Sequence, residues 1–139
     1  MTEDTSPDSM ENTDSELTNS GSESGSDAQK ALVLEIDNWI SHVWMVRTFL
    51  KHSDEATDDE ELCEVHRGLY DFMLALGPSL DSGDAVRYLK IARKKIGKLR
   101  TNVAAFVELQ PEVSGHMNFK MAAKSLSLAV KQIERLLAE

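Results

Sequence analysis

After residue 27, apolar side chains recur at alternating spacings of three and four residues in four successive segments. The first segment shows the pattern with Ile36, Trp39, Val43, Val46 and Leu50. This spacing places the apolar residues on one face of an α-helix. The alternation at every second position that is typical of β-strands does not occur in these segments. We therefore predict an all-α fold.

Turn and capping signals separate the four segments. The stretch Thr57 to Glu60 matches a capping box at the start of the second helix, and Gly77-Pro78 predicts its end. Gln110-Pro111 falls in the last connection. The predicted helices cover about residues 28–52, 58–77, 83–106 and 115–138. Because they have similar lengths and short connections, residues 28–139 are predicted to form an antiparallel up-down-up-down four-helix bundle.

The first 27 residues differ sharply in composition from the rest. They carry eight acidic residues and no Lys or Arg, and most of the others are Ser, Thr, Asn or Gly. Only Met1, Met10 and Leu17 could be buried, so ordering this segment would cost entropy that no burial offsets. Residues 1–27 are therefore predicted to be a disordered acidic tail.

Charge is also sorted within the predicted bundle. Residues 28–84 carry twelve acidic and four basic residues, a net charge of −8, whereas residues 85–139 carry eleven basic and four acidic residues, a net charge of +7. The first two helices would form an acidic hairpin and the last two a basic one. Docking of the hairpins is predicted to bring opposite charges together beside the core, which selects orientation more than it adds stability.

The third predicted helix carries a basic face opposite its apolar stripe. This candidate anion-binding face consists of Arg87, Lys90, Arg93, Lys94 and Lys98. An outward row of cations is typical of proteins that bind nucleic acid or another anionic surface. Tyr88 is the one aromatic residue interleaved with it. The acidic tail could fold back over this face and compete with an external anion.

The first predicted helix has a second apolar edge beside its main stripe, formed by Val33, Ile40 and Trp44. Trp is enriched among the residues that contribute most to protein interfaces. This edge is a candidate binding site for a partner protein or for a second copy of the chain. The favoured hypothesis is a non-enzymatic protein-interaction module, with the polyanion-binding module as the alternative.

Four side chains are weak candidates for a metal site: His42, Asp59, Cys63 and His66. Imidazole and thiolate groups are ligands for zinc and related metals. The chain lacks the Glu-x-x-His pairs of di-iron bundles, however, and it has no second Cys. No metal and no other cofactor is expected.

A phosphorylated histidine is the least favoured alternative. Histidine phosphotransfer domains are helical bundles in which Lys and Gly follow the His by three and four residues. Here Gly68 follows His66 by two residues, and Leu69 occupies the lysine position. Phosphate-binding glycine loops and a strand-turn-helix nucleophile elbow are also missing from the sequence. An enzyme is therefore not expected.

Cysteine content and hydropathy indicate the compartment. The single Cys63 cannot form an internal disulfide, and the first residues lack the basic and apolar regions of a signal peptide. The most apolar stretch, residues 39–50, is interrupted by Ser41, His42 and Arg47 and is too short to span a bilayer. A cytoplasmic protein without a transmembrane segment is predicted.

Overall fold

The computed structural model describes residues 25–139, and these residues fold into five α-helices. The helices are α1 (Asp27–Lys51), α2 (Asp54–Asp58), α3 (Glu60–Ser82), α4 (Ala85–Val113) and α5 (Met117–Leu137). No β-strand occurs in the described range. The prediction of an all-α fold is confirmed. The prediction of four helices is corrected to four long helices and one short helix.

The first helix begins with a complete capping box. Ser26 Oγ accepts a hydrogen bond from the Gln29 backbone N at 3.1 Å, and Gln29 Oε1 accepts one from the Ser26 backbone N at 2.8 Å. These two bonds satisfy amide groups that the first turn leaves without a partner. Ser26 and Asp27 therefore belong to the helix start and not to the predicted tail, of which residues 1–24 lie outside the described residues.

The short helix α2 occupies the first connection, where the predicted capping box does not form. Thr57 lies inside α2, and Asp59 caps α3 instead, with its Oδ1 accepting from the Leu62 backbone N at 3.0 Å. Ala56 of α2 is buried in the core. Burial of this methyl group at the end of the molecule explains why the chain forms an additional turn rather than an open loop.

The second long helix, α3, continues past Gly77-Pro78, so its predicted end is wrong. Leu76 is buried and Leu80 packs against the core, and this packing offsets the hydrogen bond that the proline removes. The helix ends at Gly83, whose φ of 74° is left-handed. The Asp84 backbone N donates to the Ser79 carbonyl, as in a Schellman motif.

The fourth helix is also longer than predicted, because Pro111 does not end it. The Gln110 side chain is buried, and its Nε2 donates to the Ser114 carbonyl at 2.8 Å. Leu109 and Val113 pack against the core. The last turn of α4 is therefore held by burial and by the Gln110 amide, and His116 then caps α5.

One hydrophobic core joins the four long helices. α1 packs against α3 and α5, α4 packs against the same two helices, and α1 and α4 also touch across the centre. Phe49 of α1 meets Phe119 of α5 edge to face, with ring centroids 5.0 Å apart. Each large side chain that is fully buried contributes roughly 1.5–3 kcal/mol. Within residues 25–139, no helix is both long enough and apolar enough to cross a membrane.

Candidate functional site

The predicted interaction edge of α1 is only partly accessible. Val33 is 6% exposed and lies in the core, so its assignment to a binding edge is wrong. It is buried because α1 is covered by three other helices, which makes its buried face wider than a narrow stripe. Ile40 is partly buried and packs against the core. Trp44, at 47% exposed, is the residue of this edge that reaches the surface.

Trp44 belongs to a cluster that also includes Arg47 of α1 and Tyr70 of α3. The ring centroids of Trp44 and Tyr70 are 6.4 Å apart and tilted by 47°. The guanidinium carbon of Arg47 lies 4.3 Å from the Tyr70 centroid and 5.5 Å from the Trp44 centroid, within cation–π distance of both. We call these three residues the aromatic–arginine cluster.

Three cations lie near His66 beside this cluster, although the cluster lies in the acidic half of the chain. Burial lowers the pKa of His66, and the positive charges of Arg47, Arg67 and Lys51 lower that pKa further. Arg67 and Lys51 are exposed. In the described part of the chain, none of these three cations forms an ion pair within 4.0 Å.

Sequence reasoning identified Trp44 but missed Arg47 and Tyr70. The sequence did contain a signal for this contact, because Trp44 and Tyr70 fall at similar levels of an antiparallel helix pair. Trp44 lies seven residues before the end of α1, and Tyr70 lies ten residues after the start of α3. The α1–α3 pairing was predicted, but the direction of each side chain was not. Only the packed structure shows that one arginine contacts both rings.

The predicted anion-binding face on α4 is narrower than the sequence indicated. Arg93 Nε donates to the Leu137 carbonyl at 3.1 Å, and Arg93 lines the same cavity as Glu35 and Glu139. Lys98 lines a groove of about 370 Å³ between α3 and α4 whose other side carries Glu64 and Asp71. Both cations therefore lie near acidic groups.

Arg87, Lys90 and Lys94 remain as the open part of this face, and we call them the α4 cationic stripe. All three are exposed, and within residues 25–139 none forms an ion pair within 4.0 Å. Tyr88 is 1% exposed and cannot stack on a nucleic-acid base, contrary to its expected place on this face. The stripe thus offers charge without an aromatic platform.

The expected pairing of charges between the two hairpins is not observed. The ion pairs in residues 25–139 are Arg100–Glu134 and Arg135–Glu139, and both lie within the basic half. Among the described residues, the acidic side chains of α1 and α3 and the α4 cationic stripe thus form no ion pair with each other. Exposed pairs contribute at most about 1 kcal/mol, so their absence costs the fold little.

The candidate metal ligands do not converge. His42 stacks on Trp39 with ring centroids 5.2 Å apart, and its Nδ1 lies 3.3 Å from Ser125 Oγ of α5. Cys63 Sγ donates to the Ala56 carbonyl at 2.9 Å, and Asp59 caps α3. Because His42 lies against α5, it cannot complete a site with His66 of α3. Residues 25–139 contain no group of three or more His, Cys, Asp or Glu side chains that could hold a metal ion.

Comparison of the chain with protein-family models, with curated protein sequences and with solved structures found no match.

Proposed function

We propose that this chain is a non-enzymatic helical interaction module that binds a partner protein through the face formed by α1 and α3. The aromatic–arginine cluster is the observation that supports this proposal. Trp, Tyr and Arg are the residue types most enriched at the energetic centres of interfaces, and here they contact one another at the surface.

The cluster is suited to binding because it is already ordered before a partner arrives. Arg47 is held against two rings, so less side-chain entropy is lost when it binds. Trp44 is half-exposed and can lose its remaining water contact in a complex. Replacing a central residue of such a cluster typically weakens binding by 2 kcal/mol or more, about a thirtyfold change in affinity.

The charge around the cluster defines the chemistry of the partner. Arg47, Lys51 and Arg67 surround His66 without acidic neighbours in ion-pair contact. The partner segment should therefore present an apolar anchor for Trp44 and Tyr70, flanked by carboxylates. A second copy of the chain could supply such a segment from its acidic half, so self-association is part of the same proposal.

Two single variants, one inside the cluster and one outside it, test this proposal. Trp44→Ala removes the anchor, and Leu128→Ala removes a side chain of similar exposure (45%) from α5. Self-association is measured by analytical ultracentrifugation, and protein partners are compared by quantitative co-purification from cell extract. We expect Trp44→Ala to lose associations that Leu128→Ala retains. If both variants keep the same associations as the unmodified protein, the α1–α3 face is not the binding site.

The architecture that we propose for this module is an antiparallel up-down-up-down four-helix bundle with α2 inserted in its first connection. The closed order of contacts, α1 with α3, α3 with α4, α4 with α5 and α5 with α1, supports this architecture. The cytoplasm is the proposed compartment, since the one cysteine, Cys63, is free and hydrogen-bonded as a thiol.

Polyanion binding by the α4 cationic stripe is the second candidate function. It is favoured by one observation, the exposure of Arg87, Lys90 and Lys94 without ion pairs in the described residues. Binding of single-stranded DNA or of anionic vesicles should weaken steeply with added salt. Lys90→Glu should abolish it, whereas Lys124→Glu, the same charge change at an exposed position of α5, should not. A protein that lacks the acidic residues 1–24 and binds neither ligand at low salt excludes this function.

A further inference from the structure

Gly25, the first residue that the structure describes, lies beside the start of α4. A Cβ atom built on Gly25 would lie 3.0 Å from the Cβ of Ala85, the first residue of α4. The φ of Gly25 is 114°, a conformation that residues with a side chain rarely adopt. The end of the chain that precedes Gly25 is therefore attached close to the N-terminal end of α4.

The α4 cationic stripe begins two residues after this attachment point. Arg87, Lys90 and Lys94 follow spacings of three and four residues, so they share one face of α4. Lys94 lies nine residues beyond Ala85, about 14 Å along the helix axis. Ala85 is buried on the core side of α4, however, so the stripe lies on the opposite side of the helix and residues 1–24 must pass around α4 to reach it.

We propose that residues 1–24 dock on the α4 cationic stripe of the same molecule. These residues carry seven acidic side chains and no Lys or Arg, so their charge is complementary to the stripe. Glu16 precedes Gly25 by nine residues, and a flexible segment of that length spans about 15–18 Å on average. This average reach covers the distance along the axis, and the fully extended length of nine residues, about 30 Å, also allows the path around the helix. Tethering also gives the acidic groups an effective concentration in the millimolar range.

Docking has a direct consequence for anionic partners. An external polyanion or a second copy of the chain would have to displace a segment that is already tethered within reach of the stripe. The stripe would therefore remain closed to dilute anions and open to those that bind several of its cations at once. This inference does not depend on the aromatic–arginine cluster, which lies on the α1–α3 face.

Carbodiimide cross-linking of the full-length protein tests the proposal. The reagent condenses a carboxylate with a lysine amine to an amide and takes up the water released. Because residues 1–24 contain no lysine, each cross-link from them identifies the lysine that they approach. The reaction is run on a mixture of unlabelled and isotope-labelled protein, so that links within one molecule are distinguished from links between two.

We expect links from residues 1–24 to Lys90 and Lys94 within single molecules, about tenfold more frequent than links to Lys120 and Lys124 of α5. In 1 M salt, the Debye length falls to about 3 Å. The links to Lys90 and Lys94 should then become as infrequent as the links to Lys120 and Lys124. Arg87→Glu keeps both reporter lysines and should decrease their links severalfold, whereas Lys124→Glu should leave them unchanged.

Three outcomes would overturn the proposal. Links that join labelled to unlabelled molecules would show that a second copy occupies the stripe. Equal links to Lys90, Lys94, Lys120 and Lys124 would show that residues 1–24 have no preferred surface. Links that persist in high salt and in Arg87→Glu would show that charge does not direct the contact.

Discussion

The guanidinium carbon of Arg47 lies 4.3 Å from the ring centroid of Tyr70, so a single cation connects α1 to α3 at the molecular surface. The same group lies 5.5 Å from the Trp44 ring. Arg47 therefore orients both aromatic side chains while its charge stays available, since it forms no ion pair in the described part of the chain. This arrangement links the stability of the α1–α3 contact to the shape of the proposed binding face.

A double-mutant cycle measures this link. Arg47→Met keeps most of the apolar stem and removes the charge, and Tyr70→Leu removes the ring. We expect a coupling of about 0.5–1 kcal/mol in the free energy of unfolding, determined by urea denaturation, because the cation–π contact is lost in either variant. Arg47→Met combined with Leu128→Ala should show no coupling. A coupling of zero for the first pair would mean that the observed contact does not stabilise the fold.

Gly68 and Asn102 form a second pair that can be tested. A Cβ on Gly68 would lie 2.5 Å from Asn102 Nδ2, which donates to the Val65 carbonyl at 2.9 Å. Gly→Ala inside a helix usually stabilises by about 1 kcal/mol. We expect Gly68→Ala to give no such gain, because Asn102 must move and lose its hydrogen bond.

Two comparisons make this prediction specific. Gly97→Ala should stabilise by about 0.5–1 kcal/mol, since its nearest neighbour, Arg100 Nη2, would be at an ordinary distance of 3.6 Å. In an Asn102→Ala background, Gly68→Ala should recover the same gain. If Gly68→Ala stabilises the unmodified protein as much as Gly97→Ala does, the glycine is not required for the contact.

His66 should make stability depend on pH. Burial and the nearby cations lower the pKa of the folded side chain below 6.5, so the unfolded chain takes up the proton first as the pH falls. The free energy of unfolding should therefore decrease as the pH falls through about 6.5, until the folded side chain is also protonated. The effect should stay below about 1 kcal/mol because solvent screens this partly exposed group.

The measurement is the difference between the unmodified protein and His66→Gln in urea denaturation from about pH 8 to about pH 5. We expect the variant to lose less stability on acidification. His52→Gln, at an exposed position after α1, is the matched control and should behave as the unmodified protein does. Equal acid sensitivity in all three proteins would contradict the assigned environment of His66.

Tyr88 should tolerate loss of its hydroxyl group. Burial, followed by the negative charge of Asp37, raises the pKa of Tyr88 above its usual value. Its hydroxyl has no hydrogen-bond partner within residues 25–139. Tyr88→Phe should therefore leave the free energy of unfolding unchanged or increase it by up to about 1 kcal/mol. Phe106→Ala, at another fully buried ring, should lose about 3–5 kcal/mol. A loss of more than about 1 kcal/mol in Tyr88→Phe would contradict this prediction.

Helix ends were predictable only where a local capping group determines them. Ser26 caps α1 close to the predicted helix start at about residue 28. Gly77-Pro78 and Pro111 are equally strong local signals, yet both lie inside helices. Packing of Leu76, Leu80 and Gln110 explains the difference, because burial in the core outweighs a missing backbone hydrogen bond.

The spacing of apolar residues by itself determined that this chain is helical, since one buried face per helix is required for a common core. Only the tertiary structure decided which exposed groups share a surface. Trp44 lies on α1 and Tyr70 lies on α3. Arg47 contacts both rings only because α1 packs on α3. The charge pattern was visible in the sequence, but packing decided that the two halves do not form ion pairs across the described fold. Local spacing specifies helices, whereas contacts between distant segments depend on side-chain directions that spacing does not encode.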